Sequence, residues 1–363
     1  MESMKIVEAN PYFLPHRGGI ENRMHVTSKH LVKLGHEVTV LTAQLPGTPL
    51  EEETEDGYRI VRVPSKFYNI YNPPYVTSKG VLDALNRIDA DIVNYNYRWA
   101  PSFDSEVSRY SGKKVFTYHN MWGEGVGYQK LISSVNDSLY AKKLDRYDHI
   151  VAVTDYVRDD LIKHGIPPSR LTTVDNCLDV VPDISNTEGD FILSLGRLVA
   201  TKGLKYLIEA MRDVDYRLVI CGTGPVEAQI LRLISKYGLG DRIEFKGWVS
   251  EEEKNHLMDT CRFFVMPSLY ESYGLAALEA LSYGKPIVCT DVDGLPGNVR
   301  DAGVYVKPKD SKGLADAINH LLDDPDRRNA LSENAIRISR QVTWDQRILQ
   351  LESLYRRVID GEV

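Results

Sequence analysis

The chain has 363 residues, a length that suits two domains better than a single hydrophobic core. Apolar residues make up 43% and charged residues 26%, a globular composition that excludes a disordered or fibrous chain. The net charge of −7 is spread over both halves, so neither half offers the basic face of a nucleic-acid-binding protein. No apolar run reaches the roughly 18 residues of a membrane span, and the amino terminus lacks the apolar core of a signal peptide. We therefore expect a cytoplasmic protein.

Four cysteines bear on metal binding and on the redox compartment: Cys177, Cys221, Cys261 and Cys289. Their spacing matches no metal-ligand motif, and most stand at the ends of apolar runs. We expect them to be small buried side chains in a reducing compartment.

The first half alternates strand and helix patterns. Lys5–Ala9 predicts a strand, a loop ending in Gly18 and Gly19 follows, and a helix then leads to a second strand at Glu37–Leu41. This is the unit of a doubly wound sheet, in which ligands bind beyond the carboxyl ends of the strands. The two glycines therefore indicate either a ligand-binding loop or a structural turn. The dinucleotide fingerprint is excluded, because no G-x-G-x-x-G follows the strand.

A lone histidine follows the predicted strand Lys114–Tyr118. His119 stands at the carboxyl end of that strand, where it is either a structural histidine or a residue facing the presumed cleft. The loop after it, residues 121–125, leaves the same strand end. Further strands are predicted at Tyr58–Val63, Ile92–Tyr95, Ile150–Val153 and Leu171–Val174.

Residues 129–146 predict a helix with an apolar face. Leu131, Val135 and Leu139 line that face, and Lys142, Lys143 and Arg146 cluster near its end. We interpret the face mainly as core packing, with contact to a membrane surface as the alternative.

The second half begins after a polar connector at residues 181–189. Phe191–Leu195 predicts the first strand of a new sheet, and Arg197 and Lys202 follow at its carboxyl end. Two cations there could neutralise a diphosphate, or they could be ordinary charges of an exposed loop. A Walker loop is excluded because no Gly-Lys-Ser/Thr is present, and the later G-x-G at Gly222 lacks the third glycine of a nicotinamide site.

The most informative stretch is Ser268–Pro286. An apolar strand, Phe263–Met266, leads into a loop with Glu271, and an apolar helix between Tyr273 and Tyr283 contains Glu279. A carboxylate in a buried helix costs several kcal/mol unless donors meet it. Glu279 is therefore expected to pair with a distant Arg or Lys, or to accept hydrogen bonds from the hydroxyls of a ligand such as ribose. Gly274 lets an anion approach the helix amino terminus.

The remaining strands and helices complete a second doubly wound domain. Strands are predicted at Arg217–Cys221, Ile243–Lys246, Ile287–Thr290 and Val304–Val306, and helices at Leu314–Leu322, Pro325–Arg340 and from Thr343 onward.

Two of these motifs resemble those of a known family. Glu271 and Glu279, eight apart with Gly274 between them, are similar to the Glu-x7-Glu signature of the retaining glycosyltransferases of family 4, which have the GT-B fold. Arg197 and Lys202 stand in an octad that resembles the G-R-x-x-x-x-K-G of that family. The resemblance implies an α/β protein with two Rossmann-like, doubly wound domains facing across a cleft. It assigns residues 1–183 to the acceptor side, with the loop at residues 121–125 as a candidate acceptor wall, and residues 184–342 to binding of the nucleotide sugar. It also implies that a terminal helix, residues 343–363, crosses back to the first domain.

The resemblance further implies roles for individual residues. Arg197 and Lys202 would hold the diphosphate, Glu279 the ribose and Glu271 the sugar ring, and His119 would lie beside the reacting carbon. The implied catalytic residues are His119, Glu271, Arg197 and Lys202. The implied donor-binding residues are Gly18, Gly19, Arg197, Lys202, Val249, Glu271, Tyr273, Gly274, Leu275 and Glu279. The sequence departs from the family at Asn94 and Asn96, where histidine is frequent, and at Asn176-Cys177, where Asn-Gly is usual.

The resemblance thus implies a retaining hexosyltransferase that uses a UDP- or GDP-sugar without a metal or another cofactor. The acceptor is a saccharide, a lipid-linked saccharide or a small molecule, and peripheral contact with the inner face of a membrane fits the lipid-linked case. The alternatives are a GT-B epimerase or phosphorylase, and a non-catalytic subunit that binds a nucleotide sugar. No nucleic-acid partner is expected.

Overall fold

The computed structural model describes residues 2–16, 18–68, 74–123, 128–179, 182–185 and 187–363. The chain divides into two compact units. The first comprises Met1–Gly123, Ile132–Asn176 and Trp344–Val363, and the second comprises Glu124–Leu131 and Cys177–Thr343. The break at Asn176 and Cys177 precedes the boundary drawn from sequence at residues 183 and 184. The reason is local: the Leu178 amide donates to the Val342 carbonyl at 3.0 Å, which ties the start of the connector to the second unit.

Strands and helices alternate along most of the chain. The first stretch contains β1 (Lys5–Ala9), α1 (Gly19–Lys33), β2 (Glu37–Ala43), β3 (Glu51–Glu53), β4 (Arg59–Val63), β5 (Ser65–Tyr68), β6 (Tyr75–Ser78), α2 (Val81–Ile88), β7 (Ile92–Tyr95), α3 (Pro101–Val107), β8 (Lys114–Tyr118), α4 (Tyr128–Leu144), β9 (His149–Ala152), α5 (Asp155–Lys163) and β10 (Leu171–Thr173). The second contains β11 (Phe191–Leu195), α6 (Leu204–Ala210), β12 (Arg217–Cys221), α7 (Glu227–Lys236), β13 (Ile243–Gly247), α8 (Glu251–Thr260), β14 (Phe264–Met266), α9 (Leu275–Ser282), β15 (Ile287–Thr290), α10 (Leu295–Val299), β16 (Gly303–Val306), α11 (Ser311–Asp323), α12 (Pro325–Ser339) and α13 (Trp344–Asp360).

The first unit is built on an eight-stranded sheet of order β10-β9-β8-β7-β1-β2-β4-β3. All neighbours are parallel except β3, which is antiparallel to β4. Strands β7 and β8 are buried along their whole length, because helices cover both faces of such a sheet. Since β1, β7 and β8 are neighbours, the residues that follow them lie at one edge of the sheet.

The last helix, α13, belongs to the first unit. Its Tyr355 hydroxyl donates to Glu8 Oε1 of β1 at 3.0 Å. His36 Nε2 lies 3.3 Å from Glu352 Oε1, and both side chains are buried. The final helix therefore completes the core that the first strands begin.

The second unit is built on a six-stranded parallel sheet of order β13-β12-β11-β14-β15-β16. Strands β11 and β14 pair in parallel, with Leu193 opposite Phe264. The loops that carry Arg197 and Lys202 on one side, and Glu271 on the other, consequently leave the sheet at neighbouring positions of the same edge.

Most of the predicted strands are confirmed within one residue. Three are missed: the short strand β3 and the hairpin of β5 and β6, which forms a separate two-stranded sheet. All four cysteines are buried free thiols, as expected. Burial raises the pKa of Cys221, Cys261 and Cys289 to about 12. Residues 124 and 125 of the predicted acceptor loop, and residues 181 and 186 of the predicted connector, lie outside the described residues.

The interpretation of α4 as a core-packing helix is wrong. Leu131, Ile132, Val135 and Leu139 are between 56% and 70% exposed. The spacing indicates one helical face correctly, but spacing alone does not say whether a sheet covers that face. Across the described residues, none of the helices combines the length and the apolar character needed to span a membrane.

Candidate functional site

The loop that carries Arg197 and Lys202 is fixed against the loop that follows β14. A turn of 3₁₀ helix, Ala200–Lys202, ends at Gly203 with a φ of 64°. A Cβ atom on Gly203 would lie 2.0 Å from the Pro267 carbonyl oxygen, so only glycine permits this approach. The Leu269 amide donates to the Thr201 carbonyl at 2.7 Å. The two loops of the predicted site are thereby joined backbone to backbone.

Lys202 and Glu271 meet at this junction. The Lys202 ammonium forms an ion pair with Glu271 Oε2, and the two side chains are 25% and 11% exposed. Glu271 Oε1 accepts a hydrogen bond from the Gly274 amide at 3.2 Å. The Glu271 amide itself donates to Asp293 Oδ2 at 3.0 Å. The carboxylate thus links a cation to the start of α9.

Gly274 directly precedes the first turn of α9. Its φ is 86°, which favours glycine, and a Cβ atom there would lie 2.7 Å from Leu295 Cδ2. The amide groups of a first helical turn have no partners within the helix and favour an anion. The Lys202 ammonium therefore stands beside a second group that attracts negative charge.

Glu279 has an ionic partner that its own sequence neighbourhood does not reveal. Its side chain is 32% exposed, and its Oε2 lies 3.4 Å from the Lys254 ammonium of α8. Lys254 also contacts Glu251 Oε1 at 2.5 Å. Burial raises the pKa of Glu279, and the charge of Lys254 opposes that shift. Of the two alternatives for Glu279, the distant lysine partner is therefore confirmed, whereas hydrogen bonds from the hydroxyls of a ligand stay a prediction.

The other predicted donor-binding residues of the second unit differ in exposure. Arg197 is exposed, and it has no ion-pair partner in the part of the chain that the structure describes. Tyr273 is buried, and its carbonyl accepts from Asn298 Nδ2 at 2.5 Å. Val249 and Leu275 are half-buried. Arg197 thus has its guanidinium available to a ligand.

In the first unit, Gly18 and Gly19 form the start of α1. Gly18 is the N-cap residue, in extended conformation, and Gly19 is the first helical residue. A Cβ atom on Gly18 would lie 2.4 Å from Glu21 Oε2, so the buried Glu21 occupies the space of a side chain. The carboxylate of Glu21 thus lies against the backbone at the amino terminus of α1, a place that favours negative charge.

His119 lies at the carboxyl end of β8 and is buried. Its Nε2 is 2.9 Å from Asn96 Oδ1. Burial lowers the pKa of His119 well below its usual range, and the positive charges of Arg23 and Arg98 lower it further. The imidazole is therefore neutral at physiological pH.

One functional candidate was missed from the sequence. Glu8 is almost fully buried in β1 and accepts hydrogen bonds from Asn94, Asn96 and Tyr355. A carboxylate between the apolar residues Val7 and Ala9 of a predicted buried strand was the available signal.

The predicted site residues fall into two groups, one in each unit. In the second unit Glu271 contacts both Lys202 and Gly274, whereas Gly18, Gly19 and His119 belong to the first unit. Within the described ranges, no group of three or more His, Cys, Asp or Glu side chains is arranged to hold a metal ion.

Two family models cover most of the chain. Residues 17–181 match the model described as Glycosyltransferase Family 4, and residues 182–338 match the model described as glycosyl transferases group 1. The chain belongs to the group 1 glycosyltransferases. In this glycosyltransferase the first model matches the first predicted domain and the second model matches the second.

Individual relatives agree with this assignment. The chain is 36% identical to an α-D-kanosaminyltransferase of Streptomyces kanamyceticus, over 40% of this chain and 39% of that protein, so it matches less than half of that relative. It is 27% identical to O-antigen chain mannosyltransferase C of Escherichia coli, over 97% of both chains.

A solved structure establishes the fold. Anabaena Alr3699/HepE, in complex with UDP and glucose, superposes with a TM-score of 0.79 over 97% of this chain and 99% of that chain, at 17% identity. The fold is GT-B, with two Rossmann-like domains.

Proposed function

We propose that this protein transfers a hexosyl group from a nucleotide-sugar donor to an acceptor hydroxyl, with retention of configuration at the anomeric carbon. The observation that carries the proposal is the contact of Lys202 with Glu271 at the amino terminus of α9. The exposed Arg197 belongs to the same loop as Lys202. Cations and helix amide groups at one sheet edge suit a diphosphate.

The proposed reaction breaks the bond between the anomeric carbon and the diphosphate oxygen. The bond electrons leave with the diphosphate, the acceptor oxygen bonds to the same carbon, and the hydroxyl proton is released. Arg197 and Lys202 stabilise the negative charge that grows on the leaving group, and Arg197 can bind two oxygens at once. The protein's own cations thus do the work of a metal ion, so we propose that transfer is metal-independent.

The two glutamates hold the donor. The Glu279 side chain is partly exposed, so its carboxylate can accept from the ribose hydroxyls beside the charge of Lys254. Glu271 can contact the sugar ring once a diphosphate has replaced it as the partner of Lys202. His119, neutral at the end of β8, contributes a hydrogen bond to the transferred sugar.

The exposed apolar face of α4 fits contact with a membrane surface. Leu131, Val135 and Leu139 lie on one side of the helix, and the exposed Lys142 and Arg146 continue that side. Such a face buries apolar side chains among acyl chains while its cations meet anionic head groups. We propose that the acceptor is lipid-linked on this ground.

Donor binding is the first test. The structural neighbour holds UDP and glucose and the full-length relative is named a mannosyltransferase, so UDP-glucose, UDP-N-acetylglucosamine and GDP-mannose form the panel, with ADP-glucose beside them. Isothermal calorimetry on the wild type and on Glu279→Ala is expected to show one tight donor whose affinity the variant loses.

Glu251→Ala is the matched control, because it removes the other carboxylate that contacts Lys254. It should keep donor affinity. Equal loss in both variants would mean that the Lys254 cluster maintains the fold of α8 and α9, and would contradict ribose binding by Glu279. Tight donor binding with no turnover of any acceptor would instead indicate a non-catalytic subunit.

A further inference from the structure

A chain of hydrogen bonds connects the last helix to His119. The Tyr355 hydroxyl donates to Glu8 Oε1 at 3.0 Å. Asn96 Nδ2 donates to Glu8 Oε2 at 3.0 Å, and Asn96 Oδ1 lies 2.9 Å from His119 Nε2. Each of these polar side chains except that of Tyr355 belongs to β1 or follows β7 or β8, three neighbouring strands of one sheet.

The direction of this chain follows from the chemistry of its members. Asn96 Nδ2 lies 3.0 Å from Glu8 Oε2 and 3.3 Å from the Asn94 carbonyl oxygen. A backbone carbonyl only accepts hydrogen bonds, so the amide nitrogen of Asn96 must face this side. The carboxamide oxygen of Asn96 must then face His119, and an oxygen acceptor requires a proton on His119 Nε2. In a neutral imidazole the other nitrogen, Nδ1, then carries the lone pair.

We propose that Asn96 is a positioning residue that fixes His119 as the tautomer with a proton on Nε2 and a lone pair on Nδ1, and that Glu8 orients Asn96. The tautomer of His119 does not depend on any substrate. Its consequence for catalysis rests on the proposed function: His119 Nδ1 is presented to the substrate as an acceptor for a sugar or acceptor hydroxyl.

Asn94 provides a matched control within the same hydrogen-bond network. Asn94 Nδ2 donates to the same Glu8 carboxylate, at 2.9 Å and 3.2 Å. Its Oδ1 accepts from the Thr117 hydroxyl at 2.8 Å and makes no contact with His119. Asn94 and Asn96 are both buried, so removal of either side chain leaves a comparable cavity and one fewer donor to Glu8. Only the loss of Asn96 frees His119.

Nitrogen-15 spectra of the histidine side chains measure the tautomer without any substrate. The wild type and Asn94→Ala are expected to show His119 with its proton on Nε2, the signal being assigned by its disappearance in His119→Gln. Asn96→Ala is expected to shift His119 toward the other tautomer or to a mixture. An unchanged tautomer in Asn96→Ala, or an equal shift in Asn94→Ala, overturns the proposal.

Turnover supplies the second measurement. Asn96→Ala should lower kcat about tenfold more than Asn94→Ala does, with little change in KM for the donor. Equal losses in the two variants would mean that the network serves only the fold. If Asn96→Ala does not fold, Asn96→Ser replaces it, because the shorter hydroxyl cannot contact Glu8 and His119 together. If the tautomer behaves as expected and the wild type transfers no sugar, the proposed function fails and the positioning role stands.

Discussion

The Lys202 ammonium and the Glu271 carboxylate form an ion pair across 69 residues of sequence. In the protein without a donor, Lys202 and Glu271 are thus each other's ionic partners. A diphosphate is a stronger partner for Lys202 than a single carboxylate, because it brings more charge. Donor binding would therefore release Glu271 from Lys202, and the released carboxylate becomes available to the sugar.

Lys202→Ala tests this exchange. The variant loses one charge-assisted contact to the diphosphate, which is worth about 1.5 to 3 kcal/mol, so kcat/KM for the donor should fall about ten- to hundredfold. Lys205→Ala, an exposed lysine on the following helix, is the control and should retain full kcat/KM. Unchanged kinetics in Lys202→Ala would remove this residue from the diphosphate site.

Arg197→Ala should also lower kcat/KM about ten- to hundredfold, because the guanidinium binds two oxygens of the leaving group. Since Arg197 is exposed, the thermal midpoint of unfolding should stay that of the wild type. Arg212→Ala, another exposed arginine, should change neither quantity. A loss of stability in Arg197→Ala would point to a role in folding.

Metal independence is tested with a chelator. Transfer by the wild type should persist in excess EDTA, because Arg197 and Lys202 neutralise the leaving diphosphate. The control is a chelated sample to which Mg²⁺ or Mn²⁺ is returned, and it should run at the same rate. Activity that vanishes with EDTA and returns with the metal would contradict the proposed cationic site.

The apolar face of α4 predicts membrane binding. The wild type should float with vesicles that contain anionic lipid, and binding should weaken at high salt because Lys142 and Arg146 are screened. Replacing Leu131, Val135 and Leu139 together by serine should abolish flotation. Leu349→Ser changes an exposed leucine on α13 and should have no effect. Flotation of the triple variant at the wild-type level would exclude α4 as the contact.

A buried histidine predicts a loss of stability in acid. Burial lowers the pKa of His149 from 6.5 to about 4, with Arg357 and Arg170 adding to the effect. Below pH 6.5 His149 binds a proton in the unfolded chain, whereas in the folded protein it stays neutral down to about pH 4. The free energy of unfolding therefore falls as the pH decreases from 6.5 to about 4.

Urea unfolding of the wild type and His149→Gln at about pH 7 and about pH 5 measures this loss. The variant should lose less stability between the two pH values, whereas His256→Gln, an exposed histidine, should behave as the wild type. If His149→Gln loses as much stability between the two pH values as the wild type does, groups other than His149 cause the loss.

Strands and their order along the chain were predictable because buried parallel strands are short, continuous apolar runs. Helix α9 was predictable because its residues are almost all apolar, and Gly274 marks the position where it begins. The hairpin of β5 and β6 was not, since its strands pair only with each other and are half exposed, so no strong apolar pattern marks them.

The candidate site was predictable residue by residue but not in its pairings. Nothing local in the sequence connects Lys254 with Glu279, because their contact depends on how α8 packs beside α9. The same holds for the exposure of α4 and for the contact of Asn96 with His119. Periodicity gives the face of an element, and only tertiary structure gives the neighbour of that face.

The place of α13 has a consequence for the order of events during synthesis on the ribosome. Tyr355 and Glu8 are 347 residues apart in sequence. The hydrogen bond from α13 to β1 therefore cannot form until nearly the whole chain has been synthesised. The second unit, by contrast, closes as soon as Thr343 is made. Although domains often fold in the order of their synthesis, the unit of this protein that emerges first is the one completed last. Until then, the nascent chain carries an unfinished core whose apolar surface chaperones would recognise.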